Sequence, residues 1–156
     1  MRKVLRVYAD TSVIGGCLDA AFADASQGFL ELVRKKHVRL LVGEVLLAEL
    51  AESPIEVQDI LTSLPSEAVE RVAISGEILK LRDAYIAAGV VGAKWSDDAA
   101  HVATATVARA DAIVSWNFKH IVRLDKMKAY NRVNILNGYG ILTIVTPREV
   151  LTNDHE

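Results

Sequence analysis

Val4-Leu5-Arg6-Val7-Tyr8-Ala9-Asp10-Thr11-Ser12 is the stretch that decides how this chain folds. From Val4 to Ala9 it is short and mostly apolar, with β-branched valines, which predicts a buried strand rather than a helix. The run ends on a carboxylate, Asp10, followed by two small hydroxyls. An acid in that position suits a turn or a helix N-cap. It equally suits a functional carboxylate, because open parallel sheets bind ligands outside the carboxyl ends of their strands.

Further along, Gly15-Gly16 is expected to break the pattern. A helix opening at Asp19 or Asp24 would carry Phe22, Phe29, Leu30, Leu32 and Val33. It would end in Arg34-Lys35-Lys36, where the helix dipole favours cations. Val38 to Val42 is a second strand. Helix is expected from Glu44 to Glu52 and again from Pro54 to about Leu64, since proline restarts a helix more readily than it continues one. Pro65 opens a loop, and Val69 to Ile74 reads as a short extended segment. Ser75-Gly76-Glu77 begins a helix with Ile78, Leu79, Leu81, Tyr85 and Ile86 on one side, running out at Gly89. Ser96-Asp97-Asp98 has the composition of an N-cap and first turn, opening an Ala/Val/Thr helix to Ala110 slim enough to lie close on a sheet. Ala112 to Ser115 is a third confident strand and Ile141 to Val145 a fourth, stopped by Pro147. Strands separated by helices imply a three-layer α/β/α fold around a mostly parallel central sheet. One domain over 1–150 is expected, with 151–156 as a short C-terminal tail.

Composition narrows the class. The chain has 156 residues, 51% hydrophobic and 24% charged, which fits a folded domain and argues against disorder. It has no apolar run of about 18 residues to span a bilayer. The N-terminus begins almost directly on a strand pattern, so no secretion signal is expected and cytoplasm is the default location. The single Cys17 supports neither a disulfide framework nor a cysteine zinc site. A net charge of −2 argues against a globally basic nucleic-acid binder. The charge is uneven, however. Between Glu44 and Asp83 nine acids face three bases, whereas Lys119, Arg123, Lys126, Lys128 and Arg132 are opposed by Asp125 alone. That basic strip suits phosphate, and it equally suits a solvated helix face.

The candidate chemistry lies in carboxylates at element ends: Asp10 after the first strand, Glu49 in the helix after the second, and Asp98 at the opening of the helix before the third. Asn117 follows that third strand. Acids gathered on one rim repel and push one another toward protonation unless a cation neutralises them. Oxygen donors without cysteine or a histidine cluster favour Mg²⁺ or Mn²⁺ over zinc. Each also has a plainer reading. Glu49 has Glu44 and Glu52 nearby, as on a solvated face, although it falls between Leu46-Leu47 and Leu50. Asp97 and Asp98 suit a first turn, and His101 suits a packed or hydrogen-bonded histidine.

The order of these pieces resembles the PIN-domain family, including the VapC-type toxin ribonucleases of toxin–antitoxin pairs. The matching segments are Val7 to Ile14, Leu46-Leu47-Ala48-Glu49-Leu50, Asp98 to Ala105 and Ala110 to Phe118. Ile141 to Val150 is similar to the family's closing strand and Thr-Pro-x-Glu segment. The resemblance implies metal-dependent hydrolysis of RNA phosphodiester bonds. It implies Asp10, Glu49 and Asp98 as the catalytic and metal-binding acids, with Mg²⁺ or Mn²⁺. Asn117 stands where the family usually has a fourth acid; its amide oxygen can ligate a cation but brings no charge. Thr11 and Ser12 are the adjoining hydroxyls, and Lys119 and Arg123 would position the substrate strand. Trp116, Phe118 or Tyr130 could stack an unpaired base, although at least one of Trp116 and Phe118 is expected to face the core. An antitoxin protein and a homodimer are the implied partners, with no membrane.

Two other readings stay open. Asn117 suits a catalytically weak or inactive module that binds RNA or protein on the same fold. A phosphoryl-transfer domain with Asp10 as nucleophile fits less well. Haloacid-dehalogenase-type phosphatases need a second aspartate where this chain has Ser12, and receiver domains need an acidic pair and a lysine that have no counterpart here.

Overall fold

The computed structural model describes residues 3–154. Its sheet has five strands: β1 (Leu5–Ala9), β2 (Val38–Gly43), β3 (Val69–Val72), β4 (Ala112–Val114) and β5 (Thr143–Val145). They lie in the order β3-β2-β1-β4-β5, every adjacent pair parallel. β1 is central and covered on both faces. That is why Val7, Tyr8 and Ala9 are all fully buried and the run shows no polar alternation. Tyr8 aligns with Leu41 of β2 and Ile113 of β4, which fixes the register around the strand end that matters.

Among the described residues, eight α-helices flank the sheet: α1 (Thr11–Gly16), α2 (Ala23–Arg34), α3 (Glu44–Ala51), α4 (Ile55–Thr62), α5 (Gly76–Ala87), α6 (Ser96–Val107), α7 (Leu124–Leu136) and α8 (Pro147–Asp154). The alternation of β1 sends Val7 and Ala9 to one core and Tyr8 to the other. The first core joins them to Leu40, Val42, Ile14, Phe29, Leu46, Val57 and Val150. The second joins Tyr8 to Leu41, Ile113, Leu81, Tyr85, Val102 and Tyr130. The result is the expected α/β/α architecture, its sheet parallel throughout. The chain leaves β1 toward β2 and β3, then returns to the other side of β1 to make β4 and β5. The strand order therefore reverses at β1 and β4, and the crevice outside their carboxyl ends is the place such sheets reserve for ligands.

Several elements depart from expectation for identifiable reasons. Gly15-Gly16 does not break the chain; it completes α1. A Cβ at Gly16 would lie 2.7 Å from the Ser26 hydroxyl and 3.0 Å from the Trp116 ring, so only glycine lets α1 approach them. α2 starts at Ala23, because the Asp19 side chain and carbonyl hold the turn at 21–23. α6 starts at Ser96 with Trp95 in the N-cap position, rather than with Ser96 as cap. β5 starts at Thr143 instead of Ile141, because Asn131 of α7 takes both backbone groups of Leu142. α8 continues through Asp154, so most of the stretch expected as a tail is helix. Residues 155–156 of that stretch lie outside the described residues.

Candidate metal centre

Asp10 leaves β1 in extended conformation and occupies the N-cap position of α1, yet its side chain does not cap the helix. Its carboxylate turns into the crevice, accepting from Ser12 Oγ at 2.5 Å and from Ser115 Oγ, just past β4, at 2.7 Å. Only 4% of the residue is exposed. Burial pushes the Asp10 carboxyl up from its ordinary value. The charge of His101 and the two serine bonds pull it back, and the Asp98 charge pushes it up again.

Glu49 arrives from α3, the helix that β2 feeds. Its Oε1 accepts from Thr11 Oγ1 at 2.5 Å and lies 2.7 Å from His101 Nε2. Burial would raise Glu49, but the bonds from His101 and Thr11 and the His101 charge prevail, and its pKa is lowered. His101, one turn into α6 and buried, reaches the Tyr8 hydroxyl with Nδ1 at 2.6 Å. Burial lowers the imidazole pKa; the Glu49 bond and the charges of Asp10, Glu49 and Asp98 outweigh it and raise the value overall. When protonated, the ring donates from both nitrogens; when neutral, it donates from Nε2 to Glu49 and accepts the Tyr8 hydroxyl at Nδ1. Gly43 makes room for this chain, since a Cβ there would sit 3.0 Å from the Tyr8 hydroxyl.

Asp98 lies in the first turn of α6, half buried. Burial raises its pKa, against the Asn117 side chain and the His120 and His101 charges, while the Glu49 charge raises it further. Asn117 does not present its oxygen here. Oδ1 accepts from the backbone N–H of Lys119 at 3.2 Å and of His120 at 2.9 Å, closing the turn after β4. Asn117 thereby spends its Oδ1 on the turn, and its side chain lowers the Asp98 pKa.

Thus Asp10, Glu49, Asp98 and Asn117 all come to the carboxyl edge of the sheet. Thr11 and Ser12 spend their hydroxyls on Glu49 and Asp10, and Ser12 Oγ also accepts the Trp116 N–H at 2.8 Å. They hold the acids in place. Arg123 is closed onto Asp125 by two bonds of 2.6 and 2.8 Å. Lys119 lies over Trp95, 5.3 Å from its ring centroid. Among the aromatics named for stacking, Trp116 is buried against Phe22 at 4.4 Å, with its indole N–H on Ser26. Tyr130 is buried too, its hydroxyl donating to the His120 carbonyl at 2.9 Å, whereas Phe118 is exposed. Sequence reasoning missed Ser115 and Trp95, and gave His101 no specific partner. Their signals were the serine before Trp116-Asn117, the tryptophan before the Ser96 turn, and a lone histidine in a helix of small residues.

The donor set is hard oxygen, suited to Mg²⁺ or Mn²⁺. Among the described residues, however, no three Asp, Glu, His or Cys side chains close into a ready-made cage. Mg²⁺ commonly takes one or two carboxylates and keeps the rest of its shell as water. Asp10 and Asp98, each raised in part by acidic neighbours, fit that water-rich mode. Glu49, engaged by Thr11 and His101, fits it less directly.

No family model matches the sequence, and no curated protein is similar enough to match. Among solved structures, the chain is similar to one in the crystal structure of VapBC2 from Rickettsia felis bound to a DNA fragment from their promoter. The two are 16% identical, the match covers 90% of this chain and 97% of that one, and the TM-score is 0.57. That likeness concerns the fold, and the five-stranded parallel sheet flanked by helices is consistent with a PIN-like one. Among the described residues no helix is long and apolar enough to cross a membrane.

Proposed function

We propose that this chain is a metal-dependent endoribonuclease, the toxin of a toxin–antitoxin pair. The observation that carries the reading is geometric. Ser115 after β4 bonds Asp10 after β1, Thr11 beside Asp10 bonds Glu49 of α3, and Glu49 bonds His101, one turn past Asp98 in α6, so all three acids stand at the β1/β4 switch point. Asp10 and Asp98 would hold Mg²⁺ or Mn²⁺, which when bound lowers the pKa of a coordinated water and stabilises charge on the attacked phosphate. Ser12 and Ser115 fix both oxygens of Asp10. Thr11 and His101 fix Glu49 at the margin, where its carboxylate can orient water. Burial of Asp10 keeps bulk solvent from screening the site. The likeness to a chain of a VapBC2 complex supports a protein partner of the antitoxin kind; a homodimer and a cytoplasmic location belong to the same reading.

Asp10→Asn tests it. The variant should fold, since the serine hydroxyls can donate or accept, and should lose Mn²⁺-dependent cleavage of single-stranded RNA. Undiminished cleavage in folded Asp10→Asn removes Asp10 from the mechanism. The uncharged Asn117, whose Oδ1 is taken up by the turn after β4, favours a second reading, an RNA-binding module with little hydrolysis. Binding of RNA with no cleavage in Mg²⁺, Mn²⁺ or EDTA would select that reading.

A further inference from the structure

We infer that Trp95, His120, Lys94 and Lys119 form a stacking-and-phosphate subsite that holds single-stranded RNA beside Asp98. The inference rests on the reading of RNA as the substrate and names the part of the surface that grips it. Trp95 stands three residues before Asp98, in the N-cap position of α6, half buried at the rim of the crevice. Its ring packs on His120 with centroids 4.4 Å apart and planes inclined at 32°. Lys94 Nζ lies 5.2 Å and Lys119 Nζ 5.3 Å from the same indole centroid.

Two ammonium groups drawn to one ring repel each other, and among the described residues neither pairs with a carboxylate. Nearby Arg123, in contrast, is neutralised by Asp125. An aromatic ring carrying uncompensated cations can grip an unpaired nucleotide, the base replacing the lysines over the ring and the freed lysines meeting the phosphate. The platform is built before any ligand arrives. Asn117 Oδ1 caps the backbone of Lys119 and His120, and Tyr130 holds the His120 carbonyl. Neither ring nitrogen of His120 has a partner among the described residues, although both are shielded from solvent. The platform also adjoins the acids, because Trp95 occupies the N-cap position of the helix whose first turn carries Asp98. Of Trp116, Phe118 and Tyr130, first expected to stack a base, Trp116 and Tyr130 are buried and Phe118 stays exposed; Trp95 and His120 supply the stacking surface beside Asp98.

Tryptophan emission reads the subsite directly, since Trp116 is buried and Trp95 is the partly exposed one of the two. A short oligouridylate titrated in EDTA, where metal-dependent hydrolysis is off, should quench the native protein. The same RNA in duplex form should leave emission nearly unchanged. Trp95→Phe should remove the quenchable signal, and Trp95→Ala should weaken binding about tenfold. Lys94→Gln and Lys119→Gln, both at exposed positions, should each flatten the salt dependence by about 0.7 in the slope of log affinity against log salt. They test the proposal even if Trp95→Ala unfolds. Quenching that survives Trp95→Phe, or lysine variants with the native slope, overturns the subsite. Metal-dependent cleavage lost in Asp10→Asn but unaffected at Lys94 and Lys119 would sink the subsite and keep the nuclease. Trp95-dependent binding without cleavage would do the reverse.

Discussion

At the scale of single residues, the pair that governs the site is His101 and Glu49. His101 is 2% exposed and uses both ring nitrogens, so it cannot be removed without leaving the Tyr8 hydroxyl buried and unpaired. His101→Leu should cost about 1–3 kcal/mol on that ground. The pH dependence carries more information. The raised pKa of His101 contributes stability that is full below its ordinary 6.5 and fades as pH climbs through the raised value. The lowered pKa of Glu49 contributes stability that is full above its ordinary 4.5 and fades as pH drops through the lowered value. Both contributions are complete only between 4.5 and 6.5. Urea midpoints of native protein and His101→Leu should differ most inside that window and converge partly on either side. A gap that keeps widening above pH 6.5 would show that the imidazole is not held in its charged form. The partly exposed Glu49 lets solvent screen its share, so the window matters more than the magnitude.

At the scale of elements, what the sequence disclosed depended on how each segment buries itself. β1, β2, α3 and α5 were legible because apolar residues recur at strand or helix spacing; Ser75 even caps α5 as its position suggests, accepting from the Ile78 N–H. α7 was visible only as a basic strip. Its buried face includes Asn134, bonded to Tyr85 and Thr106, so no continuous apolar stripe announced the helix. α1 was hidden because two glycines normally signal a break, and only the three-dimensional neighbours of Gly16 explain its place. The two glycines should therefore respond oppositely to alanine. Gly15 has nothing within 4 Å of where a Cβ would stand, so Gly15→Ala should be neutral or stabilise by up to about 1 kcal/mol through helix propensity. Gly16→Ala meets Ser26 and Trp116, and Trp116 is held by Phe22 and by Ser12. Overpacking of about 1–3 kcal/mol should exceed the propensity gain. Denaturant midpoints ranked Gly15→Ala at or above native and Gly16→Ala below it would bear this out; the reverse order would mean that α1 does not approach Trp116 so closely.

For the whole molecule, the edge that carries Asp10, Glu49 and Asp98 was legible from topology. Parallel strands put their carboxyl ends on one side, Asp10 follows β1, Glu49 lies in the helix after β2, and Asp98 opens the helix that runs back to β4. The hydroxyls that hold the acids and the direction of the Asn117 amide were not legible, because they depend on χ angles and partners more than a hundred residues away, such as Ser115 on Asp10. The same long-range closure makes the C-terminal stretch part of the fold. Thr146 precedes α8, and the Glu149 carboxylate reaches back to accept both the Thr146 N–H at 3.0 Å and the Thr146 hydroxyl. Val150 is buried in the core that holds Phe29 and Ile14, and Leu151 lies over Gly28, where a Cβ would come within 3.1 Å. Arg148 covers the Trp116 ring at 5.5 Å, which links this helix to the segment carrying Ser115 and Asn117. A chain ending at Thr146 would expose the α2 face and lose the burial of Val150 and Leu151, about 3–5 kcal/mol together. It should unfold in one transition at a lower denaturant concentration, and RNA cleavage should weaken as Trp116 loosens. An unchanged midpoint would instead make α8 an appendage, with the domain closing at β5.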